Sequence, residues 1–183
     1  MKKPNIINNP FFTIGHSTRT IEEFIELLQI NGVTHLVDVR TMPRSRTNPQ
    51  FNQDNLKQAL KKHKIKYYYL ESLSGFRKRS KDIDPKVNGF WSNQSFHNYA
   101  DYTSTDEFRE GVDELLALGS DGVCAVMCAE VLWWRCHRRI IADYLLYRGV
   151  KVFHIINHSK AKPAALTKGA KKNQGTLVYP EGQ

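Results

Sequence analysis

The chain has 183 residues, 40% of them hydrophobic and 25% charged, with 27 Lys or Arg against 18 Asp or Glu for a net charge of +9. That length buries roughly two thirds of the surface an unfolded chain exposes, and no apolar run nears the roughly 20 residues of a membrane span. Three cysteines, an odd number, argue against a disulfide framework and for reduced thiols.

Residues 1–10 hold Pro4, Pro10 and several asparagines without periodicity and are expected to form a flexible arm. The opening Met-Lys-Lys-Pro-Asn lacks the apolar segment of a signal peptide, so the expected location is the cytoplasm. Phe11 to Ile14 reads as a buried strand closed by Gly15. Thr20 and Glu23 have capping-box spacing, and Ile21, Phe24, Ile25 and Leu28 fall at i, i+3, i+4 and i+7, which predicts a helix stopped at Asn31-Gly32. His35 to Val39 predicts a second strand ending in Asp38-Val-Arg40. Strand, helix and strand in this order make a parallel pair with a right-handed crossover.

A loop over 41–51 carries Arg44 and Arg46, Leu56, Ala59 and Leu60 mark a second helix, and Tyr67 to Leu70 a third strand. The long connection over 71–94 holds Gly75, Arg77, Lys78 and Arg79 and is expected to be functional or mobile. A helix begins near Ser95, and Ser104 with Glu107 repeats the capping-box spacing before a helix that is expected to end at Gly119. Val123 to Met127 predicts a fourth strand, Ile140 to Leu146 a buried helix and Val150 to Ile156 a fifth strand. Residues 158–183 lose the period and gain five lysines, so they read as a flexible basic tail behind a single α/β domain over 11–157. The alternation argues for a three-layer α/β sandwich with a mainly parallel sheet of about five strands.

In such sheets ligands bind beyond the carboxyl ends of the strands. Those ends carry His16 and Ser17, Asp38 and Arg40, Glu71, and Cys128 with Glu130. Cys128 would sit near a helix start, where unpaired N–H groups with Arg135, His137 and Arg138 favour a thiolate, and Cys136 offers a second thiol. Glu130, His16 or His137 would move protons, while Arg40, Arg44, Arg46, Arg77 and Arg138 would grip phosphate or carboxylate. Cys128, Cys136, His137 and His16 also make a soft ligand set for zinc, although seven residues separate the cysteines. Residues 40–81 hold twelve Lys or Arg against Asp54 and Glu71, so the positive charge is local and suits an anionic partner. Aromatic residues among these basic ones, Phe76, Phe90, Trp91 and Phe96, suit stacked bases or the packing of a long loop.

Thr13-Ile-Gly-His-Ser17, Val37-Asp-Val-Arg40, Pro43-Arg-Ser-Arg46, Asn48-Pro-Gln-Phe-Asn52, Tyr99-Ala-Asp-Tyr102, Met127-Cys-Ala-Glu130 and Arg135-Cys-His-Arg138 together resemble the family known as domain of unknown function 488. The likeness runs from Phe12 to Ile155; Ser74-Gly-Phe-Arg77 and the Trp133-Trp134 pair depart from the family pattern. A looser resemblance is to rhodanese-type sulfurtransferases, which place Asp-x-Arg after an early strand and a catalytic Cys after a later one, as Asp38, Arg40 and Cys128 stand here. Three functions follow as expectations: a thiol-dependent enzyme acting on a phosphate-bearing nucleotide or nucleic acid, a non-catalytic nucleic-acid-binding module, and a zinc-stabilised interaction domain. The first needs no cofactor.

Overall fold

Alternate residues of the strands face opposite sides of one sheet, and each side is apolar. A computed structural model describes residues 7–182. Its main sheet comprises β1 (Phe11–Gly15), β2 (His35–Asp38), β3 (Lys66–Tyr69), β4 (Cys124–Cys128), β5 (Val152–Ile155) and β6 (Lys162–Pro163), in the order β3-β2-β4-β1-β5-β6. The five long strands are parallel, and β6 adds an antiparallel edge. Phe12, Ile14, Leu36, Ala125, Met127 and Ile155 pack under α1 (Ile21–Ile30) and α2 (Gln53–Lys62). Phe11, Val37, Cys124, Val126 and Val152 pack under α3 (Gln94–Tyr102), α4 (Asp106–Asp121) and α5 (Arg138–Tyr147). Helices on both faces make the three-layer α/β sandwich that the alternation implied.

Local signals place most boundaries. Thr20 caps α1, its hydroxyl accepting from Glu23 N at 3.1 Å. The cap of α4 is Thr105, which accepts from Phe108 N at 3.2 Å, one residue beyond the expected Ser104. That helix runs on past Gly119 to Asp121, with Gly119 buried against the Phe11 ring rather than acting as a stop.

Two expectations about the chain ends change. Of the arm, residues 1–6 lie outside the described residues, whereas Ile7 packs against the core and Asn9 Nδ2 donates to Gly119 O at 3.0 Å. The segment read as a flexible tail holds β6 and the hairpin β7 (Lys171–Asn173) and β8 (Thr176–Val178), and it buries Leu177 and Tyr179 against α5. Its lysines face solvent, so a stretch polar in composition still contributes two large apolar anchors. Among the described residues no helix is long and apolar enough to cross a membrane.

Candidate active site

Backbone ladders bring three carboxyl strand ends together. Beyond β1, His16 N donates to Cys128 O at 3.0 Å and Ser17 N to Ala129 O at 2.8 Å; beyond β2, Val39 N donates to Met127 O at 3.0 Å. Gly15 permits this approach, since a Cβ there would lie 2.0 Å from Glu130 O. The result is a cleft of about 670 Å³ lined by His16, Ser17, Arg40, Cys128, Glu130 and Cys136 among others. Glu71, the fourth strand end, stands outside it and uses its carbonyl to hold Arg77.

At the base of the cleft the two thiols and the His137 ring place one donor atom each within 4.8 Å of one another. Cys136 Sγ lies 3.5 Å from His137 Nδ1 and accepts from Arg138 Nε at 3.3 Å. His137 Nε2 faces Val39 O at 3.2 Å, which assigns the proton to Nε2 in the neutral ring and turns Nδ1 toward the sulfur. Gly75 makes room for that ring, because a Cβ there would stand 2.4 Å from Nδ1. Arg138 is 0% exposed, and its Nη2 donates to Glu130 O.

Burial resists ionisation of Cys136, but the hydrogen bond from the Cys128 thiol, the neighbouring His137 and the Arg138 guanidinium outweigh it and bring Cys136 well below the ordinary thiol range. Cys128 moves the other way: donating to Cys136, and then its own burial, push it well above that range. The expected thiolate at Cys128 is thereby corrected. Helix α5 begins at Arg138, so the basic groups that its first turn gathers reach Cys136 rather than the end of β4. Cys124, inside β4, is held neutral by burial, its pKa pushed up to about 12.

Several other expected site residues are engaged elsewhere. Asp38 is fully buried and accepts from Arg40 N, Nε and Nη2 and from the Tyr67 hydroxyl at 2.7 Å. Arg40 also donates to Phe51 O at 2.8 Å, so this pair braces the cleft wall. Burial lowers the pKa of His16 and leaves the ring neutral at pH 7; Nδ1 donates to Ser17 O at 2.9 Å and Nε2 faces Arg40 Nη1 at 3.3 Å. It is therefore placed as a fixed link and not as a free proton carrier. The same bonds keep it out of the thiol cluster, so the four-ligand zinc set is not assembled; among the described residues, Cys128, Cys136 and His137 are placed to share a soft ion. Arg77 is tied to Glu71 O, Ser74 and the Tyr102 ring, away from the cleft. Arg46 lines a smaller neighbouring hollow with Arg44, which itself reaches the main cleft with Arg135. Glu130 is exposed, its Oε1 accepting from Leu132 N at 3.0 Å.

Sequence reasoning missed Met42 as a lining residue, for which a loop of mixed composition gives no periodic signal. It also missed Tyr67, whose hydroxyl holds Asp38, and the Trp133 ring, which stacks on His154 with centroids 4.1 Å apart. His154 is buried beside Arg138, its Nδ1 2.7 Å from the Thr13 hydroxyl, and burial followed by the Arg138 charge lowers its pKa to about 4. Because the unfolded value is about 6.5, the unfolded chain binds more protons between those limits, and stability falls as pH drops through that window. Going from pH 7 to pH 5 should cost about 2 kcal/mol through His154. Urea unfolding at the two pH values measures this, and His154→Gln should remove most of the difference.

Fold and site define an open α/β protein with a thiol pair in the cleft at the carboxyl ends of its parallel strands. The chain belongs to the family described as domain of unknown function DUF488, whose family model matches residues 20–145. No curated protein and no solved structure matches it. The likeness to rhodanese-type sulfurtransferases draws no support from these comparisons.

Proposed function

We propose that the chain is a thiol-dependent enzyme in which Cys136 attacks an anionic, phosphate-bearing substrate in this cleft. The observation that carries the reading is the grouping of Cys136, Cys128 and His137 within 4.8 Å at the cleft base. A thiolate is the nucleophile, and one that is formed at neutral pH needs cationic or hydrogen-bond support of the kind Arg138 and the Cys128 thiol supply. In the covalent step the Cys136 sulfur would bond to the electrophilic atom, and the bond to the leaving group would break. His137, whose Nδ1 faces the sulfur at 3.5 Å, would take up the Cys136 proton as the thiolate forms and then give it to that group. Arg44 and Arg135 offer exposed guanidinium groups to the anion, and Ser17 a hydroxyl. Cys128 holds its proton against Cys136 and stands ready as a second thiol.

Iodoacetamide labelling followed across pH by peptide mapping tests this. Cys136 should react at pH 7, with a midpoint below the ordinary thiol value of about 8.5, while Cys124 stays unlabelled and serves as the internal control. A Cys136 midpoint above 8.5 would overturn the reading, as would one tightly bound zinc per chain in the purified protein.

A further inference from the structure

We infer that the ligand of this cleft is a nucleotide, its phosphate gripped by the free arginines and its base covering an apolar lip made by Phe76 and Met42. This rests on the cleft being the active site, as proposed above. Phe76 is 79% exposed and Met42 71%, the two most exposed of the large hydrophobic residues among those described, and both line this one cleft. Scattered exposed apolar side chains are ordinary; two at the mouth of one polar cleft make a binding surface.

The exposure of Phe76 is built in. Its backbone N–H donates to the Thr41 hydroxyl at 3.0 Å, and Arg77 beside it is held by Ser74 O, Glu71 O and the face of Tyr102. The ring is thus turned outward from a fixed backbone. Facing it, the cleft carries positive charge: Arg44 and Arg135 are exposed and make no side-chain hydrogen bond or ion pair among the described residues. Glu130 is the single acid of the lining. Asn48 and Asn93 add amides, and Asn93 spends its Oδ1 on the cap of α3, leaving its NH₂ to donate.

A sugar phosphate or inorganic anion would use the arginines and leave the lip bare, whereas a purely apolar ligand would leave the arginines unpaired. A nucleotide uses both, since every base has a π-face that stacks on an aromatic side chain and every phosphate matches a guanidinium fork. The cleft volume of about 670 Å³ lies in the range of small-ligand sites. A free nucleotide and one nucleotide of a single strand share this chemistry. The exposed Lys78 and Arg79 that follow Phe76 would serve the strand.

Titration calorimetry on the full chain separates these cases, using the common nucleoside monophosphates, ribose 5-phosphate, and single-stranded RNA and DNA hexamers. At least one nucleotide or hexamer should bind tenfold or more tightly than ribose 5-phosphate. Phe76→Ala should erase that advantage, and Phe76→Trp should keep it. A hexamer tenfold tighter than its mononucleotide, weakening steeply with salt, assigns the site to a strand; equal affinities assign it to the free nucleotide. If no nucleotide or hexamer outbinds ribose 5-phosphate, or if Phe76→Ala leaves the ratio unchanged, the inference falls. Labelling the unsubstituted chain with iodoacetamide alongside the titration keeps the two proposals apart: nucleotide binding without a reactive Cys136 sinks only the catalytic reading, and a reactive Cys136 without nucleotide binding sinks only this one.

Discussion

A chain ended at Asn157 is expected to be largely unfolded. The segment so removed looks expendable by composition, yet it closes the outer side of the α3–α5 layer. Leu177 and Tyr179 are both buried there, and each forfeits about 1.5–3 kcal/mol if its apolar surface is lost from the core. The polar losses are as large. Asp143, on the face of α5 that meets this segment, accepts from Thr167 N and from the Tyr179 hydroxyl, both at 2.9 Å. Burial already raises the pKa of this carboxyl, which those two bonds only partly offset. Removing the segment takes both donors away, at about 0.5–1.5 kcal/mol for each hydrogen bond lost. Asn88 Oδ1, which accepts from Tyr179 N, and the Tyr144 hydroxyl, which bridges Thr103 and Thr176, lose partners too. Together these approach a typical domain's whole stability of about 5–15 kcal/mol. Circular dichroism and urea titration of the shortened chain should show loss of the cooperative transition. Tyr179→Phe, which removes only the hydroxyl, should keep the fold at a cost of about 1–3 kcal/mol. A shortened chain that unfolds at the urea midpoint of the full one would refute the assignment.

That dependence was hidden in the sequence for a physical reason. Strands of two or three residues are too short to show a period, and two large apolar side chains buried among exposed lysines leave the average polar. The central elements were legible because each repeats its signal. Phe11, Phe12 and Ile14 face two helix layers, so their strand is buried throughout, and α1 carries both its cap and its stripe. The site was legible in part. Strand-end chemistry located His16, Ser17, Asp38, Arg40 and Cys128 at one rim, but not how each is spent: whether Arg40 meets a ligand or Asp38 depends on a hydrogen bond that no spacing rule contains. Arg138 could have been assigned to the thiols alone, rather than to both the thiols and the substrate anion. With Ile141, Ala142 and Leu145 it falls at i, i+3, i+4 and i+7 on the buried face of α5, which marks it as an internal cation under the thiols rather than a ligand for substrate.

Arg138 is accordingly where the reactivity of Cys136 should be most sensitive. Its Nε–H reaches the sulfur at 3.3 Å from a side chain that is fully buried. A hydrogen bond to a charged group contributes about 1.5–3 kcal/mol, and 1.36 kcal/mol is one pH unit, so Arg138→Met should raise the labelling midpoint of Cys136 by about one to two units. The same substitution frees the Glu130 carbonyl that Nη2 holds, so a lower stability is expected alongside. Arg138→Lys separates the effects: it keeps the charge and should recover part of the midpoint, whereas a purely structural role would leave both variants alike. Cys128→Ser probes the other support. Serine still offers a proton but stands farther from the large sulfur, so the Cys136 midpoint should rise by a smaller amount than in Arg138→Met. Cys136→Ser should abolish neutral-pH labelling altogether, because the remaining Cys128 loses the pairing and keeps a burial that holds it protonated. If Cys128 instead became the reactive thiol in that variant, the two sulfurs would be interchangeable, and the assignment of the charge to Cys136 by Arg138 and His137 would fail.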